Sequence, residues 1–131
     1  MNDIAITFIG NLAADPELRF TPSGKPVTNI RVAHNPRRFD PQTQEWVDGE
    51  PTFLRCEIWD GAENVAESLA KGHRLFVLGR LRTKTFTPTE GDQAGQEITY
   101  NFVVVDEIGP TLKWATATPV RNRADNAPTP E

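Results

Sequence analysis

With 131 residues, 37% of them hydrophobic, the chain is large enough for one domain with a single core and too short for two comfortable ones. A lone cysteine, Cys56, excludes an intramolecular disulfide and a cysteine-based metal site, and no apolar run reaches a membrane-spanning length or resembles a signal peptide, so a cytoplasmic location is expected. The net charge of −4, read alone, argues against a nucleic-acid partner, which makes the placement of the charges the deciding question.

Ile4, Ile6 and Phe8 alternate with Ala5 and Thr7, so the chain opens with a strand, and Gly10-Asn11 permits a bend after it. Thr21-Pro-Ser-Gly-Lys25 is a turn signal, with Leu18 and Phe20 placed to pair across it. The second strand follows, alternating Thr28, Ile30 and Val32 against Val27, Asn29 and Arg31. Residues 34–51 hold Pro36, Pro41, Pro51 and Gly49 among acids and read as a long loop, either functional or mobile, that Trp46 pins against the body of the domain. A third strand covers residues 52–59. Asp60-Gly-Ala-Glu63 then gives a capping-box-like helix start, Ala62, Val65, Ala66 and Leu69 share one helical face, and Gly72 supplies the stop. A fourth strand spans about residues 74–87 and a fifth about 97–108, joined by the polar Glu90-Gly-Asp-Gln-Ala-Gly95.

Five strands with one short helix between the third and fourth is the pattern of an all-β OB-fold barrel. Beyond the fifth strand, Glu107 to Ala117 keeps extended character around Trp114, and from Pro119 onward the polar, proline-containing sequence lacks apolar periodicity. One domain over residues 1–117 and a short disordered tail over 118–131 are therefore expected.

Catalysis finds no foothold. His34 and His73 stand at no metal-ligand spacing from each other or from Cys56, which falls on a core face as an inert thiol. No glycine-rich phosphate loop, nucleophile elbow or cofactor motif is present, and Asp106 and Glu107, adjacent on a strand, point to opposite faces. The third strand is more informative. Its alternation puts Leu54, Cys56 and Ile58 on the core side and Phe53, Arg55, Glu57 and Trp59 on the other. The fourth repeats the arrangement, with Arg80, Arg82, Lys84 and Phe86 opposite Leu75, Val77 and Leu81. If the two strands were adjacent, they would make a face of rings among cations, suited to a flexible polyanion that carries bases. A merely solvated strand face is the competing reading. Phe8 groups with the core residues Ile4 and Ile6, Phe102 shares parity with Ile98 and Tyr100, and Phe76 shares parity with Leu78. Arg37-Arg38-Phe39 puts a ring beside two cations in the long loop, as a loop anchor or as a further stacking platform.

Several segments, in order, resemble the bacterial single-stranded DNA-binding protein family: Ile9-Gly-Asn-Leu12 with Asp15-Pro-Glu-Leu-Arg19, Gly24 to Ala33, Asn64-Val-Ala-Glu67 with Lys71-Gly72, and Gly79-Arg-Leu-Arg-Thr83 followed by an aromatic. The resemblance covers nearly all of residues 4–117. It implies a non-enzymatic, sequence-tolerant binder of single-stranded DNA that forms homotetramers and acts in replication, recombination or repair. It further implies base stacking at Phe39, Phe53, Trp59 and Phe86, and phosphate contacts from Arg37, Arg38, Arg55, Arg80, Arg82 and Lys84. Phe39 to Trp46 and Glu107 to Ala117 look most like members from high-GC Gram-positive bacteria, in which the latter segment forms an extra C-terminal strand that clamps neighbouring subunits. The chain ends Asn126-Ala-Pro-Thr-Pro-Glu131, without the acidic tip by which such proteins recruit replication and repair partners, so a tail-less paralogue or a truncated copy is expected. The other binding-class reading is an OB-fold protein-interaction module of a primosome-like assembly.

Overall fold

A computed structural model describes residues 2–122. The strands are β1 (Ile4–Leu12), β2 (Glu17–Phe20), β3 (Pro26–His34), β4 (Arg37–Asp40), β5 (Glu45–Asp48), β6 (Thr52–Ile58), β7 (Arg74–Phe86) and β8 (Ile98–Pro110), with one helix, α1 (Ala62–Ser68), between β6 and β7. The main sheet runs β1-β7-β8-β6-β3-β2, and β1 also pairs with β3, closing a ring of β1, β7, β8, β6 and β3. This is the OB-like arrangement expected from the sequence, with β2 appended to one end of β3. The two share an edge: β2 pairs with Pro26 to Asn29 and β1 with Val32 and Ala33.

Closure depends on a residue the sequence reading used differently. Strand β1 does not end in a bend at Gly10-Asn11 but continues to Leu12, where it passes from β7 to β3. A Cβ on Gly10 would stand 2.6 Å from the Ala33 carbonyl oxygen and 2.7 Å from Val32 Cγ1, so glycine is required for the backbones to come this close. Gly79 answers to the same constraint beside the β7–β8 register shift, its missing Cβ 2.5 Å from the Val104 carbonyl oxygen.

The interior holds Leu12, Ile30, Val32, Cys56, Ile58, Leu75, Val77, Val103 and Val105 from the strands, with Val65 and Leu69 from the helix region. The alternation on β3 and β6 is therefore as expected, with Thr28, Ile30 and Val32, and Cys56 and Ile58, all buried. Buried Thr28 donates its hydroxyl to the Ala62 carbonyl at 2.6 Å, tying the start of α1 to β3. That start is not a capping box: Gly61, in the left-handed region at φ 81°, occupies the N-cap with no side-chain hydrogen bond. The helix also stops before Gly72. Leu69 turns to extended backbone and buries its side chain in the core, which ends the helix at Ser68.

The long segment after β3 is a structured ribbon. β4 and β5 form their own two-stranded sheet, based on a Gly49 N–H to Pro36 carbonyl bond of 2.6 Å and turned by Gln44 N–H donating to the Asp40 carbonyl at 2.7 Å. Part of the extra strand expected over residues 107–117 is the end of β8, which reaches Pro110; residues 111–122 lie in no strand. The tail expected over 118–131 falls, from residue 123 on, outside the described residues.

Candidate nucleic-acid interface

Strands β6 and β7 are not neighbours, because β8 lies between them, parallel to β6 and antiparallel to β7. The aromatic and cationic face expected from two adjacent strands therefore spans three, and the inserted strand adds rings to it. Lys84 stands opposite Tyr100 and Arg82 opposite Phe102, while Glu57 of β6 stands opposite Val104. Tyr100 touches Phe86 on one side, with ring centres 5.9 Å apart, and Phe102 on the other at 6.0 Å. The Arg55 guanidinium lies 4.7 Å from the centre of Tyr100, so one chain of contacts joins Arg55 of β6 to Phe86 at the end of β7.

Other cations cover rings in the same way. Arg31 of β3 sits 4.2 Å over Phe53, Lys84 5.7 Å over Phe102, and Lys25 5.4 Å over Trp59. A cation above a ring is attracted to its negative face, and an aliphatic stem on the ring keeps the charge near water. Phe53 and Phe86 remain about half exposed, at 47% and 45%. Exposed rings of this kind cost little to desolvate and can stack on a base.

The stripe expected on β7 is charge-paired. Arg80 makes two bonds to Asp106, at 3.0 and 3.3 Å; Arg82 bonds Asp3 at 2.9 Å; and the Lys84 ammonium is 4.0 Å from Glu57. Arg37 is held between Asp48, at 3.6 Å, and the Trp46 carbonyl, at 3.0 Å. Among the described residues, Arg31, Arg38 and Arg55 have no carboxylate partner. Solvent-accessible pairs are worth only about 0–1 kcal/mol, so a phosphate can replace such a carboxylate at small cost.

Phe39 is 47% exposed and faces Trp46 across the ribbon, their rings edge to face at 5.7 Å. Trp46 does not pin the segment to the barrel. It is 60% exposed and makes its ring contact with Phe39. Sequence reasoning thus missed two rings, Tyr100 and Trp46. Tyr100 had a signal available, since its parity on β8 differs from that of core residues Val103 and Val105; Trp46 had one only if the ribbon had been recognised.

The remaining reactive groups are occupied structurally. Burial pushes the Cys56 thiol up to about 12, so it stays protonated and unreactive at neutral pH. His34 Nδ1 lies 3.0 Å from the Ile9 carbonyl, and His73 Nδ1 accepts the Ala70 N–H at 3.1 Å. No group of three or more His, Cys, Asp or Glu among the described residues is placed to hold a metal ion, and no described helix is long and apolar enough to cross a membrane. A groove of about 650 Å³ lies at the opposite end of β7, between Arg74, His73 and Trp114.

The geometry is that of an open band rather than a pocket. Residues 1–109 match the single-strand binding protein family. The chain belongs to that family. The single-stranded DNA-binding protein of Mycolicibacterium smegmatis is 57% identical over 116 residues, spanning 88% of this chain and 68% of that protein. In structure the chain is similar to a small single-stranded DNA-binding protein of Streptomyces coelicolor, with a TM-score of 0.68 and 31% identity over 86% of this chain and 97% of that one. The fold also matches that of the Plasmodium falciparum SSB in complex with ssDNA, at TM-score 0.68 and 19% identity over 85% and 99% of the two chains. As a member of the single-strand binding protein family, the chain carries its ring-and-cation band on the outside of the closed sheet, with the family's match extending over every strand but the last residue of β8.

Proposed function

We propose that this chain binds single-stranded DNA without sequence preference, as a non-catalytic coat that stacks bases on Phe53, Trp59, Phe86 and Tyr100 and follows the backbone with Arg31, Arg55 and Lys84. The observation that carries this reading is the run of contacts from Arg55 through Tyr100 to Phe86 across three strands. Rings accept any base, and cations spaced between them match a backbone whose charges recur with every nucleotide. Phe39 and Trp46, with Arg37 and Arg38, extend the band onto the β4–β5 ribbon. Arg80 and Arg82 are phosphate contacts only after Asp106 and Asp3 release them.

The reading includes a homotetramer in the cytoplasm, working on strands exposed by replication, recombination or repair, and one domain through residue 117. The alternative of a protein-interaction module is disfavoured by the cations placed over the rings, which a protein partner would have to desolvate. Fluorescence anisotropy of labelled oligo-dT, duplex DNA and a heteropolymeric RNA, titrated with the protein at ~0.05 to ~0.5 M salt, tests the function. Tight dT binding that weakens with salt, by roughly 0.7 log units per phosphate contact for each decade, is expected. Equal binding of duplex, or no binding of either single strand, would refute it.

A further inference from the structure

Glu57 is out of place by charge. It lies on β6 between Arg55 and Trp59, on the face proposed above to receive phosphates, where a carboxylate repels the ligand. It is not a loose surface acid, since its side chain is only 19% exposed. One carboxylate oxygen accepts the Trp59 indole N–H at 3.3 Å, and the other is 4.0 Å from the Lys84 ammonium. Lys84 reaches it from β7 by crossing above Phe102 of β8. One carboxylate therefore ties together a ring just beyond the end of β6 and a cation on β7, two strands away.

We propose that Glu57 is a positioning residue of this face. Its carboxylate fixes the plane of the Trp59 indole through the single donor that ring possesses, and in the free protein it holds Lys84 in reserve, where a phosphate would otherwise draw it. When a strand arrives, Lys84 exchanges the carboxylate for a phosphate while Glu57 keeps the indole in place. The carboxylate thus competes with the phosphate for Lys84 and maintains ring order. The inference rests on the DNA-binding reading for its charge component and on the free protein alone for its ring component.

Two substitutions separate the components. Glu57→Gln keeps an oxygen for the indole N–H and removes the charge; Glu57→Ala removes both. Glu57→Gln is expected to bind oligo-dT about three- to tenfold more tightly at ~0.05 M salt, because Lys84 no longer has to leave a carboxylate, with the salt slope unchanged, since Lys84 meets a phosphate in both proteins. Adding Lys84→Ala to Glu57→Gln should abolish that gain. The ring component is read without DNA, by time-resolved fluorescence anisotropy of Trp59 in a chain carrying Trp46→Phe and Trp114→Phe. There Glu57→Gln should leave the indole as restricted as in the parent, and Glu57→Ala should let it rotate faster, with circular dichroism confirming that each variant is folded.

If Glu57→Gln binds with the parent's affinity, Glu57 does not restrain Lys84. If Glu57→Ala leaves Trp59 equally restricted, it does not position the ring. If the parent fails to bind oligo-dT at all, the DNA-binding reading falls and takes the charge component with it, whereas the anisotropy result still decides the ring component.

Discussion

The guanidinium of Arg31 on β3 lies 4.2 Å from the centre of the ring of Phe53, its diagonal neighbour on β6, two residues from its direct cross-strand partner Arg55. One face of the ring is thus covered by a cation before any ligand arrives, and the roles proposed for the two groups, stacking for Phe53 and phosphate pairing for Arg31, are separable by mutation. Phe53→Ala is expected to weaken oligo-dT binding by ~1–3 kcal/mol, roughly 5- to 150-fold, with the salt slope unchanged. Arg31→Ala is expected to flatten the slope by roughly 0.7 instead. Matched titrations at several salt concentrations distinguish the two, and identical effects on slope would contradict the assignment.

Tyr100 is the ring that joins Arg55 to Phe86. Tyr100→Phe preserves the stacking surface and should bind within about twofold of the parent. Tyr100→Ala should lose ~1 kcal/mol or more. A Phe variant as weak as the Ala variant would assign the effect to the hydroxyl and remove Tyr100 from the stacking set.

Ring closure at Gly10 gives a stability test independent of DNA. Gly10→Ala would force a methyl group against the Ala33 carbonyl and the Val32 side chain, and overpacking of this kind costs roughly 1–3 kcal/mol. Urea denaturation should show that loss, while an unchanged midpoint would mean that β1 does not need to approach β3 so closely.

The fold was legible where alternation met a buried face. Thr28, Ile30 and Val32 on β3, and Cys56 and Ile58 on β6, are buried as their spacing implies, because a strand with one face on a core can hold only one register. Strand order was not legible, since it depends on β8 entering between β6 and β7, a long-range pairing that local pattern does not encode. The same cause hid Tyr100, whose value comes from its neighbours on two other strands. The capping box failed because Gly61 adopts the left-handed conformation that starts the helix without a side-chain cap. Resemblance pointed to Phe39, Phe53, Trp59 and Phe86 as stacking positions but could not show that Arg80, Arg82 and Lys84 each have an acidic partner already.

Cys56 provides a pH test. Burial raises its pKa from 9.0 to about 12, so the folded protein keeps the thiol protonated after the unfolded chain has lost its proton. The contribution is fully present below pH 9.0 and is lost as pH rises toward about 12, with a slope of at most ~1.4 kcal/mol per pH unit. The urea midpoint of the parent should therefore fall more steeply between about pH 9 and 10.5 than that of Cys56→Ala. Parallel declines would mean that the thiol titrates equally in both states.

The central claim, that bases stack on the outer face of β6, is tested most directly by the emission of Trp59 as the sole tryptophan, with Trp46→Phe and Trp114→Phe, during titration with oligo-dT. The account predicts saturable quenching that is reversed by salt and absent with duplex DNA. Tight binding by anisotropy with no change in Trp59 emission would contradict it, because the strand would then be held by some other surface.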